Sequence, residues 1–287
     1  MALWNSPLLR AQNLRKLTDK ISVLEAGAAN VLLCSTEEGS VIVDSGPPNS
    51  ALACVSVAGC DAAPVRNRTL FNTHYHLDQT GNNEEFRASG GKIVAQQRTK
   101  QWMSADVWLP DQDRYEKARP EAARPTETFL TKGSLKSGTE QIDYGYMPMA
   151  HTSGDLYVHF KTANVLAVGD VASPLHDPAL DYMTGAWIGG RVDGMDILLA
   201  LANDQTRIVP AYGPVMTKAE LKAERDMMEE LRARLFKQVR EGDGPKDMLE
   251  GGVLKGLPRT WKDPEKFLYD AAKGLWAHHD KLDNNVV

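Results

Sequence analysis

Long apolar runs are missing from this chain of 287 residues. Nothing in it approaches the ~18 consecutive apolar residues of a spanning helix, so a membrane is not an expected partner. Surplus positive charge is missing too. Lys and Arg number 33 against 38 Asp and Glu, a formal net charge of -5 with no basic cluster, which removes the electrostatic footprint that nucleic acid requires. Cysteine is scarce: Cys34, Cys54 and Cys60 are odd in number and lack C-x-x-C spacing. They read as reduced thiols rather than a disulfide framework or zinc ribbon, with a Cys54–Cys60 bridge as the alternative. The opening Met1-Ala2-Leu3-Trp4-Asn5-Ser6-Pro7 lacks a charged region followed by an apolar one. The expected compartment is therefore the cytoplasm, or the periplasm if a leader has been removed. Repeats and low-complexity tracts are absent as well. The 42% of hydrophobic residues suffices for a large core.

Short β-rich runs stand at Ile21–Leu24, Val31–Cys34, Val41–Val43 and Thr69–Phe71, and helix-compatible residues from Asn83 to Ala88 precede another such run at Lys92–Ala95. Strand, polar loop, helix and strand in this order form a βαβ unit, whose functional groups gather at the carboxyl ends of the strands. Leu109 to Pro125 carries three prolines and many charges and reads as an exposed loop or lid. Further strands are expected at Tyr144–Met149, Leu156–Phe160, Val165–Val168 and Arg207–Val209, with a helix over Gly194 to Ala202. From Thr217 the pattern is helical. Thr217 and Glu220 are spaced as a capping box, and Leu221, Met228, Leu231 and Leu235 share one face. Asp263-Pro264 opens a second helix with the stripe Phe267, Leu268, Ala271 and Leu275.

Three of the seven histidines fall at strand ends: His74 and His76 in His74-Tyr75-His76-Leu77-Asp78-Gln79, and His151 in His151-Thr152-Ser153-Gly154-Asp155. A pair at i, i+2 on an extended loop aims two imidazoles at one point, and a third from a distant strand completes a facial set for zinc or iron. Chance occurrence is the competing reading of a lone H-x-H. Asp78 and the Gly169-Asp170 that follows an apolar strand weigh against it.

Five motifs in order, over roughly residues 20 to 216, resemble those of the metallo-β-lactamase fold superfamily. They are Val41-Ile42-Val43-Asp44-Ser45-Gly46, Thr73 to Asn82, His151 to Asp155, Val168-Gly169-Asp170 and Ile208 to Pro214. The resemblance implies an α/β protein, an αββα sandwich spanning residues 1–217 with metal at one edge of two sheets. Residues 218–287 are left as a helical C-terminal extension, packed on the sandwich or forming a homo-oligomer interface. It also implies a first metal site of His74, His76 and His151, a second at Asp78 and the positions of Gln79 and Tyr212, and Asp170 between them. Asp44 would orient the histidine loop by hydrogen bonds.

Gln79 and Tyr212 stand where the family usually has histidines. A neutral amide is a poor ligand, and a phenol of pKa near 10 must ionise before it binds strongly. The first reading is accordingly a mononuclear hydrolase, with zinc or iron on the three histidines and metal-bound water attacking an ester, lactone, thioester or amide bond of a small molecule. Asp78 would be general base, Tyr212 a proton donor, and Gln79 would orient Asp78 or substrate. The second keeps two metals, the other held by oxygens of Asp78, Asp170, Gln79 and Tyr212 and suited to iron, manganese or magnesium, in hydrolytic or redox chemistry. A third is a non-catalytic binding module.

Other residues read as structural or stay open. His176, on a loop after Asp170, is a substrate contact or a solvated loop residue, and His159 a packed sheet residue. His278 and His279 end the last helix, where a cation suits the dipole, and are not counted as ligands. Gly185 to Arg191 is a tight turn before a helix, with Arg191 as contact to an anionic substrate the alternative. Trp102, Trp108, Tyr115 and Trp187 form either a substrate wall or core.

Overall fold

The computed structural model describes residues 14–26, 29–50 and 67–278. Met1 to Pro7, Cys54, Cys60 and His279 lie outside these residues. Strands β1 (Leu14–Lys16), β2 (Ile21–Ala26), β3 (Ala29–Thr36), β4 (Gly39–Val43), β5 (Arg68–Phe71) and β6 (Lys92–Gln96) lie side by side in that order. A separate hairpin follows, β7 (Val107–Leu109) with β8 (Arg114–Glu116), and β9 (Glu127–Phe129) then adds to β6. The second sheet takes β10 (Lys132–Ser137), β11 (Glu140–Met147), β12 (Asp155–Phe160), β13 (Val165–Gly169) and β14 (Arg207–Pro210), also in order. β4, β5, β6 and β9 pair parallel, as do β13 and β14.

Strand alternation builds the layers. In β3, Leu32 and Cys34 face the second sheet, while Val31 and Leu33 join Phe86, Leu70 and Ile93 on the outer face. In β13, Val165 and Ala167 face the first sheet, and Leu166 and Val168 turn outward to helices. Both faces of each sheet are therefore apolar, as a sheet covered on both sides requires. Cys34 is buried within this packing.

Helices α1 (Leu77–Thr80), α2 (Asn83–Ala88) and α3 (Gln97–Ser104) belong to the first half, and α4 (Ile188–Leu201), α5 (Lys218–Glu241), α6 (Pro245–Glu250) and α7 (Pro264–Ala277) to the second. α5 begins with the expected capping box of Thr217 and Glu220, and α7 with Asp263 and Pro264. Their stripes, from Leu221 to Leu235 and Phe267 to Leu275, share one core with Ile188, Val192 and Met195 of α4 and Val168 of the sheet. The C-terminal helices thus complete the outer layer.

Two expectations shift. The helix predicted from Gly194 starts at Ile188, because only Gly185 (φ 100°) makes the turn. Gly190 is helical and lets α4 approach the backbone, since a Cβ there would stand 2.2 Å from the Met149 carbonyl oxygen. The strand predicted over Tyr144–Met149 is β11, Glu140–Met147, paired with a β10 whose alternating, half-exposed Lys132–Ser137 carries little apolar signal.

β4, β5, β13 and β14 all end at one edge, where β12 begins and β11 stops. Asp44, the 72–76 loop, His151, Asp170 and Tyr212 therefore leave the sheets together.

Candidate metal centre

Asp44 follows β4 with φ 61°, a left-handed conformation that Asp tolerates better than most residues. Its buried carboxylate accepts the Thr73 amide at 2.7 Å and the Thr73 hydroxyl at 2.8 Å, which fixes the start of the histidine loop. Burial pushes this carboxyl well above the usual range, against the pull of both Thr73 bonds. Because the Thr73 hydroxyl proton goes to Asp44, its oxygen accepts from His74 Nδ1 at 3.1 Å. The bare Nε2 of His74 then points inward, buried and without a hydrogen-bond partner.

The other two rings are held by the same logic. His151 Nδ1 donates to the Ala179 carbonyl at 2.9 Å, leaving Nε2 bare. His76 presents Nε2 to Asp181 Oδ2 at 3.4 Å and turns Nδ1 toward His151 Nε2, 3.1 Å away. One nitrogen from each ring lies within 4.8 Å of the others. Asp170 Oδ2 lies 3.5 Å from His151 Nε2 and 3.8 Å from His74 Nε2. Three imidazole nitrogens with free lone pairs, an orphaned buried one among them, beside a carboxylate, are a donor set that fits a divalent metal ion.

Electrostatics follow from burial. Desolvation, aided by the neighbouring rings, holds His74 well below the ordinary histidine value and His151 down to about 4. His76 is half-buried, and desolvation pulls its value down, but the bond to Asp181 and the charges of Asp181, Asp78 and Asp170 lift it above the ordinary value. Burial raises Asp170 to about 6. Asp78, in the first turn of α1, is raised by burial and then by the charge of Asp170.

Gln79 is fully buried, and its Nε2 reaches the Tyr212 hydroxyl at 3.4 Å. Tyr212, just past β14, meets the exposed His176 ring edge to face, with centroids 5.1 Å apart. Every predicted site residue therefore lies at this one edge, with the three histidine rings in mutual contact and Asp170 beside His74 and His151.

The family model for the metallo-beta-lactamase superfamily matches residues 24–255. The chain belongs to the metallo-beta-lactamase superfamily. Members of this superfamily are mostly metal-dependent hydrolases. Among solved structures the chain is similar to a metallo-beta-lactamase from Pontibacter korlensis, with 18% identity, a TM-score of 0.61 and coverage of 76% of this chain and 98% of that one. It is likewise similar to the DIM-1 metallo-beta-lactamase, with 18% identity, a TM-score of 0.59 and coverage of 76% and 96%. At this identity the likeness is one of fold. No curated protein gives a significant match.

Sequence reasoning missed Asp181 and Tyr75. Asp181 also accepts the Tyr75 hydroxyl at 2.7 Å; burial pushes its carboxyl up, but the bonds from His76 and Tyr75 outweigh this and hold it below the ordinary value. No spacing signal marks Asp181, 106 residues from Tyr75. Asp155 ends the His151–Asp155 motif, and the sequence assigns it no role. It is buried, and accepts the amides of His151 and Thr152 and the Thr152 hydroxyl. Arg191 is fully buried, donates to Ser173 Oγ at 2.7 Å and lies 3.6 Å from Glu224 of α5, which leaves it no access to a substrate. His278 stacks on buried Trp187 and bonds the Gly185 carbonyl, away from the metal centre.

Proposed function

We propose that this protein is a hydrolase with a single divalent ion, zinc by preference, held by His74, His76 and His151 with Asp170 alongside. The observation that carries the reading is the convergence of three bare imidazole nitrogens within 4.8 Å. When bound, such an ion polarises a carbonyl and can lower the pKa of water from 15.7 to roughly 7.

The chain's own residues supply the remaining chemistry. Asp78, raised by burial toward the working range of a general base, accepts the proton of the attacking water. Gln79 Nε2 donates to the Tyr212 oxygen, so the phenolic proton stays free for the oxygen on which charge develops. The fitting substrates are small molecules with an ester, lactone, thioester or amide bond.

A second ion on oxygen ligands has one observation in its favour, the buried Gln79 Oε1 without a hydrogen-bond partner. Elemental analysis of protein purified without added metal, paired with an ester, lactone and β-lactam screen, tests both readings. One equivalent lost in His76→Ala and kept in Tyr212→Phe supports the mononuclear enzyme. Two equivalents falling to one in Tyr212→Phe support the binuclear one, and no turnover with any metal refutes hydrolysis.

A further inference from the structure

Beside the histidines lies a pocket of about 380 Å³, walled by the β7–β8 hairpin, the loop reaching Tyr182, and α7, with His76 and His151 in its lining. The volume is at the small end for ligand sites, enough for one aryl-alkyl group. Its body is apolar. Tyr75 and Trp102 stack with centroids 6.0 Å apart, and Leu109, Pro110, Leu180 and Met183 add to them. Alternation along β7 accounts for the hairpin's share: Val107 and Leu109 are half-buried and line the pocket, while Trp108 faces out. The tip of the hairpin is fastened by Asp111, which accepts the hydroxyls of Tyr182 and of Tyr269 on α7.

Charge around this pocket is balanced. Arg114, Lys117, Arg119 and Lys266 face Asp111, Glu116, Asp181 and Asp270. Each of the cations already lies within 3.3 Å of a carboxylate. With that positive charge already matched, an incoming anion finds no surplus cation to offset its desolvation, and Asp181 and Asp270 in the wall repel it.

We propose that the substrate is a neutral molecule whose apolar aromatic or branched group fills this pocket while its scissile bond lies at the histidines, and that a carboxylate on that group excludes it. The assignment rests on the hydrolase reading above, and a binding measurement separates the two. Benzylacetone, a neutral aryl ketone that cannot be hydrolysed, is titrated into the full chain by calorimetry beside its para-carboxylate. The expected result is binding of benzylacetone at least about tenfold tighter than that of the carboxylate, a difference of ~1.4 kcal/mol. Leu109→Lys, on the half-exposed hairpin, is expected to reverse the order, and Trp102→Ala to weaken benzylacetone about tenfold. Equal affinity of the two probes, no binding of either, or an unchanged order in Leu109→Lys overturns the proposal. Benzylacetone bound with that preference but no ester hydrolysed would overturn only the hydrolase reading. Neutral and carboxylated aryl esters hydrolysed alike would overturn only the pocket assignment.

Discussion

Asp181 Oδ2 lies 3.4 Å from His76 Nε2, on the side of the ring away from the metal-facing Nδ1. The carboxylate thereby fixes which nitrogen carries the proton and keeps Nδ1 available. Removing such a partner commonly costs 10- to 100-fold in metal affinity. Asp181→Ala is expected to lose affinity in that range, about 10- to 100-fold, in a chelator competition. Asp181→Asn, which can still accept a hydrogen bond, should lose less.

Asp44→Asn probes the second ring. Asn tolerates the left-handed backbone of Asp44, so the fold should persist. An amide NH₂ facing Thr73 Oγ1 turns the hydroxyl proton toward His74 Nδ1 and moves the ring proton to Nε2, the metal-facing nitrogen. Expected is a loss of about tenfold in metal affinity with an unchanged unfolding midpoint, and nitrogen-15 NMR of the imidazoles should report the exchanged tautomer.

Tyr212→Phe removes the hydroxyl by which this side chain meets Gln79 Nε2 and, in the proposed role, donates to a substrate oxygen. Loss of one stabilising donor lowers kcat by about 10²–10³. The drop should appear in kcat rather than KM, with metal content unchanged, in steady-state assays on the best ester found.

Glu224 ties the C-terminal helix α5 to the loop behind the metal centre. It accepts the Ser173 amide at 2.9 Å and lies 3.6 Å from both Arg191 and Arg259. Glu224→Ala leaves the fully buried Arg191 without its counter-ion, at a cost of about 3–5 kcal/mol. Urea unfolding should show it as a lower midpoint with little change in slope.

His159 gives a pH test away from the site. Burial, then the charge of Lys161, lowers its value below 6.5, so folding favours the neutral ring. Its contribution is present above pH 6.5 and is lost as pH falls below that toward the folded value. Wild-type stability should therefore drop more than that of His159→Gln on acidification through this window. Parallel curves for the two proteins would refute the assignment.

Much of this protein is determined by its linear order. The apolar β-rich runs Val31–Cys34 and Val165–Val168, the capping box at Thr217 and the H-x-H after Phe71 are local patterns, each set by neighbours a few residues apart. From them the layers, the edge and the three histidines are legible. Asp181, the pocket under the β7–β8 hairpin and the Arg191–Glu224 pair are decided only by tertiary structure. A carboxylate carries no periodic signature, and its role depends on which ring or guanidinium the fold brings within a few ångströms. Arg191 shows the difference: as a residue beside a glycine-rich turn it fits a substrate contact, and only the packing of α4 against α5 makes it a buried counter-charge.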